Sequence, residues 1–243
     1  MSVFSTGHVA AIVGAIRSST RTGSGSPVPS PVTPSPFVTI SRQAGTGGRA
    51  LGHALARHLS QRDHCDWTCY DRELVEKVAV DHRIERTLVE SLEDASHSWV
   101  KDFIVSTAVT GPGHGFTTAG SEEFKVFRRV AMTIRAIAQT GHAIVVGRGG
   151  VFVTRNLPDA HGVHLRLIAP FEHRVAEYAR HYDATPDAAA AAVRRLDANR
   201  AAFFKRYWPA GRLDPLTFTA TFNTAQIDEQ ALVHAAAALI APR

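Results

Sequence analysis

The stretch Phe37–Leu59, FVTISRQAGTGGRALGHALARHL, decides the fold of this 243-residue chain. It begins with Phe37–Ile40, whose β-branched and aromatic side chains predict a buried strand. A glycine-rich turn follows, and after Arg49 apolar residues recur every three or four positions, which indicates a helix. A strand, a glycine loop and a helix in this order are typical of a phosphate-binding loop, because loop N–H groups and a helix N-terminus attract anions. A turn of the same composition without a ligand is the alternative.

The glycine loop differs from a Walker A motif, which ends in Gly-Lys-Ser/Thr. Aligned on its glycines, the loop has Gly48 at the lysine position, and neither Arg49 nor Ala50 after it supplies the hydroxyl that binds Mg²⁺ in that motif. Arg49 follows Gly48 and offers a positive charge for a phosphate. The candidate nucleotide-binding residues of the loop are Gly45, Thr46, Gly47, Gly48, Arg49 and Ala50.

Three segments of the chain resemble the cytidylate kinase-like family: ISRQAGTGGRALGHALA from Ile40, YDRELVEKVA from Tyr70 and AIVVGRGG from Ala143. This family is related to bacterial CMP kinases and hence to the P-loop nucleoside monophosphate kinases. The resemblance extends from about Phe37 to Ile240, and the loop form SRQ-x-G-x-GGR, without the lysine, is typical of the family. It implies a (d)CMP kinase-like phosphotransferase that uses ATP and Mg²⁺.

Beyond the first helix, strand-like and helix-like segments alternate. Strands are predicted at 66–70, 143–146, 163–167 and 216–222, and helices at 72–81, 83–109 (two), 121–141, 170–181, 186–207 and 228–240. This alternation predicts an α/β protein with a doubly wound parallel sheet, whose ligands gather at the carboxyl ends of the strands. The resemblance implies that the sheet is P-loop kinase-like and carries a helical lid.

The sequence divides into two parts of different composition. Residues 1–36 are predicted to be a disordered tail, since Ser18–Pro36 is rich in Ser, Thr, Gly and Pro, whereas residues 37–243 form the P-loop nucleotide kinase-like domain. The net charge of +5 arises in the first quarter of the chain, since Met1–Arg62 has six arginines and no acidic residue. The rest is nearly neutral, with 21 basic against 22 acidic residues, which argues against a nucleic-acid surface.

Cysteine usage and hydropathy bear on the compartment. The two cysteines, Cys65 and Cys69, lie in no metal-binding pattern, and we interpret them as thiols of a reducing, cytoplasmic environment. No apolar run approaches the roughly 20 residues of a membrane span. The resemblance implies a small-molecule nucleotide as the partner, and we expect no metal site formed by the protein alone.

Two residues at predicted strand ends are candidates for binding the acceptor. Arg148 follows the apolar strand Ala143–Val146, where a guanidinium can bind a phosphate or a base carbonyl; the resemblance implies a contact with a nucleoside monophosphate. Asp71 ends the preceding strand and can bind a nucleotide hydroxyl or a hydrated Mg²⁺. The alternatives are a solvated turn arginine for Arg148 and a helix N-cap for Asp71.

The helices predicted between residues 170 and 207 are rich in arginine. In nucleoside monophosphate kinases such a lid brings arginines onto the transferring phosphoryl group, and the segment Leu196–Arg200 resembles that lid, with Asp197 orienting an arginine. Arg195 and Arg200 are the catalytic candidates, together with Arg49 of the loop. A solvated helix face is the alternative for each arginine. The aromatic residues that follow, Phe203, Phe204, Tyr207 and Trp208, either pack under the lid or stack on a base.

These observations predict ATP-dependent phosphoryl transfer to a small acceptor, by resemblance a nucleoside monophosphate such as CMP or dCMP. The missing lysine and hydroxyl keep a second hypothesis open, namely a nucleotide-binding regulatory module with weak or no catalysis. A kinase for another small molecule is the third.

Overall fold

The computed structural model describes residues 12–13, 35–73, 75, 122–157, 161–208 and 214–240. Its sheet has five parallel strands in the order β2-β3-β1-β4-β5. The strands are β1 (Phe37–Arg42), β2 (Thr68–Tyr70), β3 (Ala143–Val146), β4 (Gly162–Ile168) and β5 (Ala220–Asn223). The strand that opens the glycine loop therefore lies at the centre of the sheet, between β3 and β4.

Helices cover both faces of this sheet. They are α1 (Gly48–Asp63), α2 (Glu122–Thr140), α3 (Gly150–Thr154), α4 (Phe171–Tyr182), α5 (Pro186–Tyr207) and α6 (Glu229–Ala238). None of these described helices is long and apolar enough to cross a bilayer. The expected α/β class, with a parallel sheet flanked by helices, is confirmed.

The alternation of side chains along β1 divides the core into two clusters. Val38 and Ile40 pack with Leu55 and Leu59 of α1 and with α6 on one face. Phe37 packs on the other face, in the cluster formed mainly by α2 and α3. Burial on both faces explains why β3 is apolar throughout, as is usual in parallel sheets.

Helices α4 and α5 form as their capping signals predict. The Thr185 side chain accepts a hydrogen bond from the Ala188 N–H (3.4 Å), Pro186 is the first helical residue, and α5 ends at Tyr207. Pro170 precedes α4, and Asp183 ends it in the left-handed conformation. We call α4 and α5, with the turn between them, the α4–α5 hairpin (Phe171–Tyr207).

The last predicted strand is wrong over its first half. The alternation of Leu216, Phe218, Ala220 and Phe222 suggests one strand, but β5 begins only at Ala220. Pro215–Thr217 is a 3₁₀ turn instead, and Leu216 is 93% exposed. The local reason is that the Asp214 carboxylate accepts a hydrogen bond from the Leu216 N–H (2.8 Å), while Pro215 has no N–H to give to a sheet. The five-residue helix α3 was not predicted.

Some predicted elements lie outside the described residues. These are most of the helix at 72–81, both helices at 83–109, the loop at 111–115 and the N-cap at Ser121. Most of the predicted tail, residues 1–36, also lies outside them. Ile12 and Val13, however, are helical, and Ile12 is 1% exposed within the core cluster that contains Phe37.

Candidate functional site

The glycine loop is held at both ends by hydrogen bonds to β4 and to itself. The Gln43 N–H donates to the Leu167 carbonyl (3.1 Å), and the Gln43 amide oxygen accepts from the Ala169 N–H (3.0 Å). The Thr46 hydroxyl donates back to the Gln43 carbonyl (2.9 Å). Side chains in the loop therefore fix its shape, and the Thr46 hydroxyl is already used for that purpose.

Two glycines of the loop occupy the left-handed region, where other residues are strained. Gly45 has a φ of +77° and Gly47 a φ of +68°. A Cβ at Gly45 would overlap the carbonyl of Arg174 in α4, whereas nothing lies within 4 Å of one at Gly47. Gly45 thus allows the α4–α5 hairpin to approach, and Gly47 leaves open space above the loop.

The N-terminus of α1 faces this open space without a side-chain cap. Gly47 is the N-cap and provides no side chain, and the first turn contains no acidic residue. The first N–H groups of a helix have no partner inside the helix and carry its partial positive charge. The predicted residues Gly48, Arg49 and Ala50 form this first turn.

The α4–α5 hairpin is fastened to the loop by one carboxylate. Asp197 accepts hydrogen bonds from the Ala44 N–H (2.8 Å), from Arg174 Nη1 (2.5 Å) and from Arg200 Nη1 (3.1 Å). Arg174, which is 7% exposed, also donates to the carbonyls of Ala44 and Ala169. Asp197 therefore orients arginines, as the sequence suggested, and in addition binds the loop backbone.

Arg49 and Asp71, predicted for different ligands, bind each other. Arg49 Nη2 lies 3.0 Å from Asp71 Oδ2, with the side chains 66% and 14% exposed respectively. Because Arg49 is mostly exposed, such a pair contributes about 0–1 kcal/mol, so a phosphate can displace Asp71 from Arg49 at little cost. The pair places the end of β2 beside the first turn of α1.

The segment Gly147–Gly150 forms a tight turn at the end of β3. Gly147, Arg148 and Gly149 all have positive φ values (+86°, +54° and +68°). A Cβ on Gly149 would lie 2.5 Å from two atoms of the Trp208 indole, so the end of α5 is seated on this turn. Burial lowers the pKa of Arg148, and the nearby Arg72 lowers it further.

The aromatic residues at the end of α5 belong to the core. The Tyr207 ring stacks on Phe127 (3.8 Å between centroids), and the Trp208 ring stacks on Phe152 (5.4 Å). Phe203 and Phe204 pack against the same cluster. Of the two interpretations of these aromatics, packing under the lid is the one that the contacts support.

Helix geometry separates the two arginines that were predicted from the lid. Val193, Asp197 and Arg200 recur at four- and three-residue spacing and share the face of α5 that meets the loop. Arg195 lies about 200° around the helix from Val193 and is exposed. The structure brings Arg200 to the site and places Arg195 on the opposite side of α5.

Two arginines of the site were not singled out from the sequence. Arg42, the last residue of β1, lies among the charges of Arg200, Arg148 and Asp71. Arg174 is the buried partner of Asp197. Together with Arg49, Arg148 and Arg200 they make five guanidinium groups. The carboxylates in contact with them, among the described residues, are those of Asp71 and Asp197. The site is therefore strongly positive, which suits a polyphosphate.

The residues present fit nucleotide phosphates better than they fit a protein-held Mg²⁺. Magnesium is usually bound by one or two carboxylates together with water and phosphate oxygens. Here both nearby carboxylates, Asp71 and Asp197, are paired with arginines, and Ala50 offers no hydroxyl. Within the described residues, no three His, Cys, Asp or Glu side chains form a metal-binding group.

These features define an α/β protein of the P-loop kinase-like class. They are a central parallel strand, a glycine loop, an uncapped helix N-terminus and an arginine-rich helical hairpin. The model of the cytidylate kinase-like family matches residues 37–226, and the chain belongs to this family. That match confirms the resemblance drawn from the three sequence segments.

Among the solved structures of similar fold is one whose title reads "Crystal structure of uncharacterized protein from Eubacterium ventriosum ATCC 27560". The TM-score is 0.59 and the sequence identity 14%; the similarity covers 84% of this chain and 97% of that one. At this identity the likeness concerns the fold alone. No curated protein matches the chain.

Proposed function

We propose that the chain transfers a phosphoryl group from ATP to a small acceptor, a nucleoside monophosphate such as CMP or dCMP. The observation that carries the proposal is the cluster of guanidinium groups around the uncapped N-terminus of α1, at the carboxyl edge of a parallel sheet. Membership of the cytidylate kinase-like family supports a nucleotide kinase role.

In this proposal each group has a defined task. The first turn of α1 and Arg49 bind the donor phosphates, while Arg148 and Asp71 bind the acceptor. Arg200 neutralises charge that develops on the phosphoryl group in transfer, a reaction that depends on positioning and electrostatics more than on covalent chemistry. Asp197 holds Arg200 in place through a 3.1 Å hydrogen bond. We place the reaction in the cytoplasm, where the thiols of Cys65 and Cys69 stay reduced.

Specific features favour a second candidate, a nucleotide-binding module without turnover. The loop has Gly48 at the lysine position and no hydroxyl at Arg49 or Ala50 after it, and both nearby carboxylates are paired with arginines. Such a protein would bind a phosphorylated ligand and signal this to a partner protein. A kinase for a different small molecule is the third candidate.

Thermal unfolding with ATP, ADP, CMP and dCMP, each with and without Mg²⁺, followed by an assay of ADP release, tests these candidates. A ligand at about 100 times its dissociation constant adds roughly 2.7 kcal/mol to the free energy of unfolding. Stabilisation with turnover of CMP or dCMP would support the proposal, and turnover of another acceptor would favour the third candidate. Stabilisation without turnover would make the chain a binding module, and no stabilisation by any nucleotide would overturn both.

A further inference from the structure

The side chain of Arg42 passes over the glycine that replaces the Walker A lysine. A Cβ built on Gly48 would lie 3.0 Å from Cγ, 3.2 Å from Cβ and 3.3 Å from Cδ of Arg42. These distances are shorter than ordinary van der Waals contact, so the aliphatic stem of Arg42 uses the space that any side chain at position 48 would need. Gly48 is therefore small because Arg42 lies against it.

The guanidinium of Arg42 rests on a second glycine, at the end of β3. A Cβ built on Gly147 would overlap Nη1 of Arg42 and lie 2.8 Å from its Cζ. The Gly147 N–H donates to the Ile40 carbonyl (3.0 Å), which fixes this turn beside the end of β1. The side chain of Arg42 therefore lies against two glycines from separate elements, Gly48 of α1 and Gly147 after β3.

Arg42 is held in a position that is unfavourable without an anion. Its charged neighbours are Arg200 and Arg148, which repel it, and Asp71, which attracts it. Burial is the largest of the influences that lower its pKa, to about 10, so the group stays protonated near neutral pH. In the described residues its guanidinium makes no hydrogen bond and no ion pair. A half-buried cation beside like charges is stabilised when an anion binds among them.

We propose that Arg42, at the end of β1, binds the donor phosphates alongside Arg49 and supplies the positive charge that the lysine supplies in a Walker A motif. This inference rests on the proposed function and names the donor polyphosphate as the group that Arg42 binds. Arg42 and a side chain at position 48 compete for the same space, because a Cβ at position 48 would lie 3.0–3.3 Å from the stem of Arg42.

Calorimetric titration of the full chain with tripolyphosphate and with ATP tests the proposal. Arg42→Met keeps the aliphatic stem on Gly48 and removes the guanidinium, and we expect it to weaken both affinities by about tenfold or more, since a hydrogen bond to a charged group is worth about 1.5–3 kcal/mol. The matched control is Arg57→Met on the exposed surface of α1, which should stay within about twofold.

Two further variants test whether a lysine at position 48 can take over the role of Arg42. Gly48→Lys alone should weaken tripolyphosphate binding, because the new side chain collides with Arg42. The double variant Arg42→Ala/Gly48→Lys should bind tripolyphosphate at least about threefold more tightly than Arg42→Ala alone. Without the Arg42 stem the new lysine has room, and it can bind the phosphate.

Stability without ligand separates a binding role from a structural one. Loss of Arg42 as a ligand-binding cation should leave the thermal midpoint of the unliganded protein unchanged or raised, as is common when a strained functional group is removed. If Arg42→Met lowers the thermal midpoint of the unliganded protein, Arg42 stabilises the fold and the inference is wrong. Should Arg42→Met bind ATP as tightly as the unaltered chain, the inference fails while the proposed function stands. If the unaltered chain binds neither ligand, both are overturned.

Discussion

The carboxylate of Asp197 accepts a hydrogen bond from the backbone N–H of Ala44, a residue 153 positions earlier in the chain (2.8 Å). The same carboxylate binds the buried guanidinium of Arg174 in α4. One side chain of α5 thereby joins the glycine loop to the α4–α5 hairpin. The shape of the loop depends on the hairpin as much as on its own glycines.

Replacing Asp197 by Ala should therefore destabilise the protein and loosen the loop together. Arg174 would lose its carboxylate while remaining buried, which leaves an uncompensated charge. Because Asp197 itself is partly exposed, we expect a loss of about 1–3 kcal/mol in the free energy of unfolding. Urea unfolding followed by circular dichroism measures this loss.

A surface ion pair of the hairpin provides the control for Asp197. Glu177 and Arg180 are neighbours on the exposed side of α4, and Glu177→Gln should change the urea midpoint little. Equal midpoints for the Asp197 and Glu177 variants would show that the contact with Ala44 and Arg174 does not stabilise the fold.

Gly149 and Gly47 have the same φ of +68° but different surroundings, which makes them a matched pair. Gly47→Ala meets nothing within 4 Å, so backbone strain alone should lower stability, by about 1 kcal/mol. Gly149→Ala must also displace the Trp208 indole, and we expect a loss of about 2–4 kcal/mol with a change in tryptophan fluorescence. Similar losses at both positions would refute the contact with Trp208.

Much of this fold can be predicted from local pattern. β1, α1 and β3 follow from short apolar runs beside glycines, and the cap at Thr185 followed by Pro186 marks the start of α5. The prediction fails at Leu216, where a period of two is present but an Asp-Pro pair forms a tight turn. There the hydrogen bond that the Asp214 carboxylate accepts from the Leu216 N–H outweighs the alternation of apolar residues.

The parts of the site that sequence did not reveal are those that depend on distant contacts. Arg42 and Gly147 meet because β1 and β3 are neighbours in the sheet, an order that local pattern does not determine. Arg174 lies on an amphipathic helix, where an arginine is expected to face solvent; its burial follows from the approach of α4 to Gly45. Arg195 and Arg200 could have been distinguished by their helical phase relative to Val193.

Stability should fall in mild acid because of His164. This side chain lies on β4 with its Nδ1 2.8 Å from the Thr39 hydroxyl, and burial lowers its pKa to about 4. The unfolded chain, with a histidine pKa near 6.5, then binds more protons between about pH 4 and 6.5, so stability is full above that range and decreases as the pH falls through it.

Urea unfolding at pH 7 and pH 5 measures this effect of His164. We expect a loss of about 1–2 kcal/mol between these values. His164→Asn should remove most of the difference, whichever stability it has at pH 7. A pH dependence that survives this substitution would assign the effect to other groups. Asp63 and Glu177, whose pKa values are lowered by their arginine partners, lose stabilisation only at lower pH.

Arg49 should be required for activity and dispensable for the fold. Its only described partner is Asp71, and the Arg49 side chain is mostly exposed, so Arg49→Ala should change the free energy of unfolding by less than about 1 kcal/mol. Loss of a cation that binds the donor phosphates should lower the rate of ADP release by about 100-fold or more. Normal turnover in this variant would remove Arg49 from the phosphate site, and a large loss of stability would make its role structural.

Arg200 and Arg195 differ by five residues on one helix and allow the position of the phosphoryl group to be tested. Arg200 faces the loop and is held by Asp197, whereas Arg195 is exposed on the other side of α5. We expect Arg200→Ala to lower kcat about 100-fold, because it removes charge stabilisation from the transfer step, and Arg195→Ala to lower it less than about threefold. Both variants should unfold within about 1 kcal/mol of the unaltered chain, since each arginine is at least partly exposed. Steady-state assays of ADP release measure kcat. The reverse order, with Arg195 the more important, would require α5 to turn on ligand binding and would contradict the site described above.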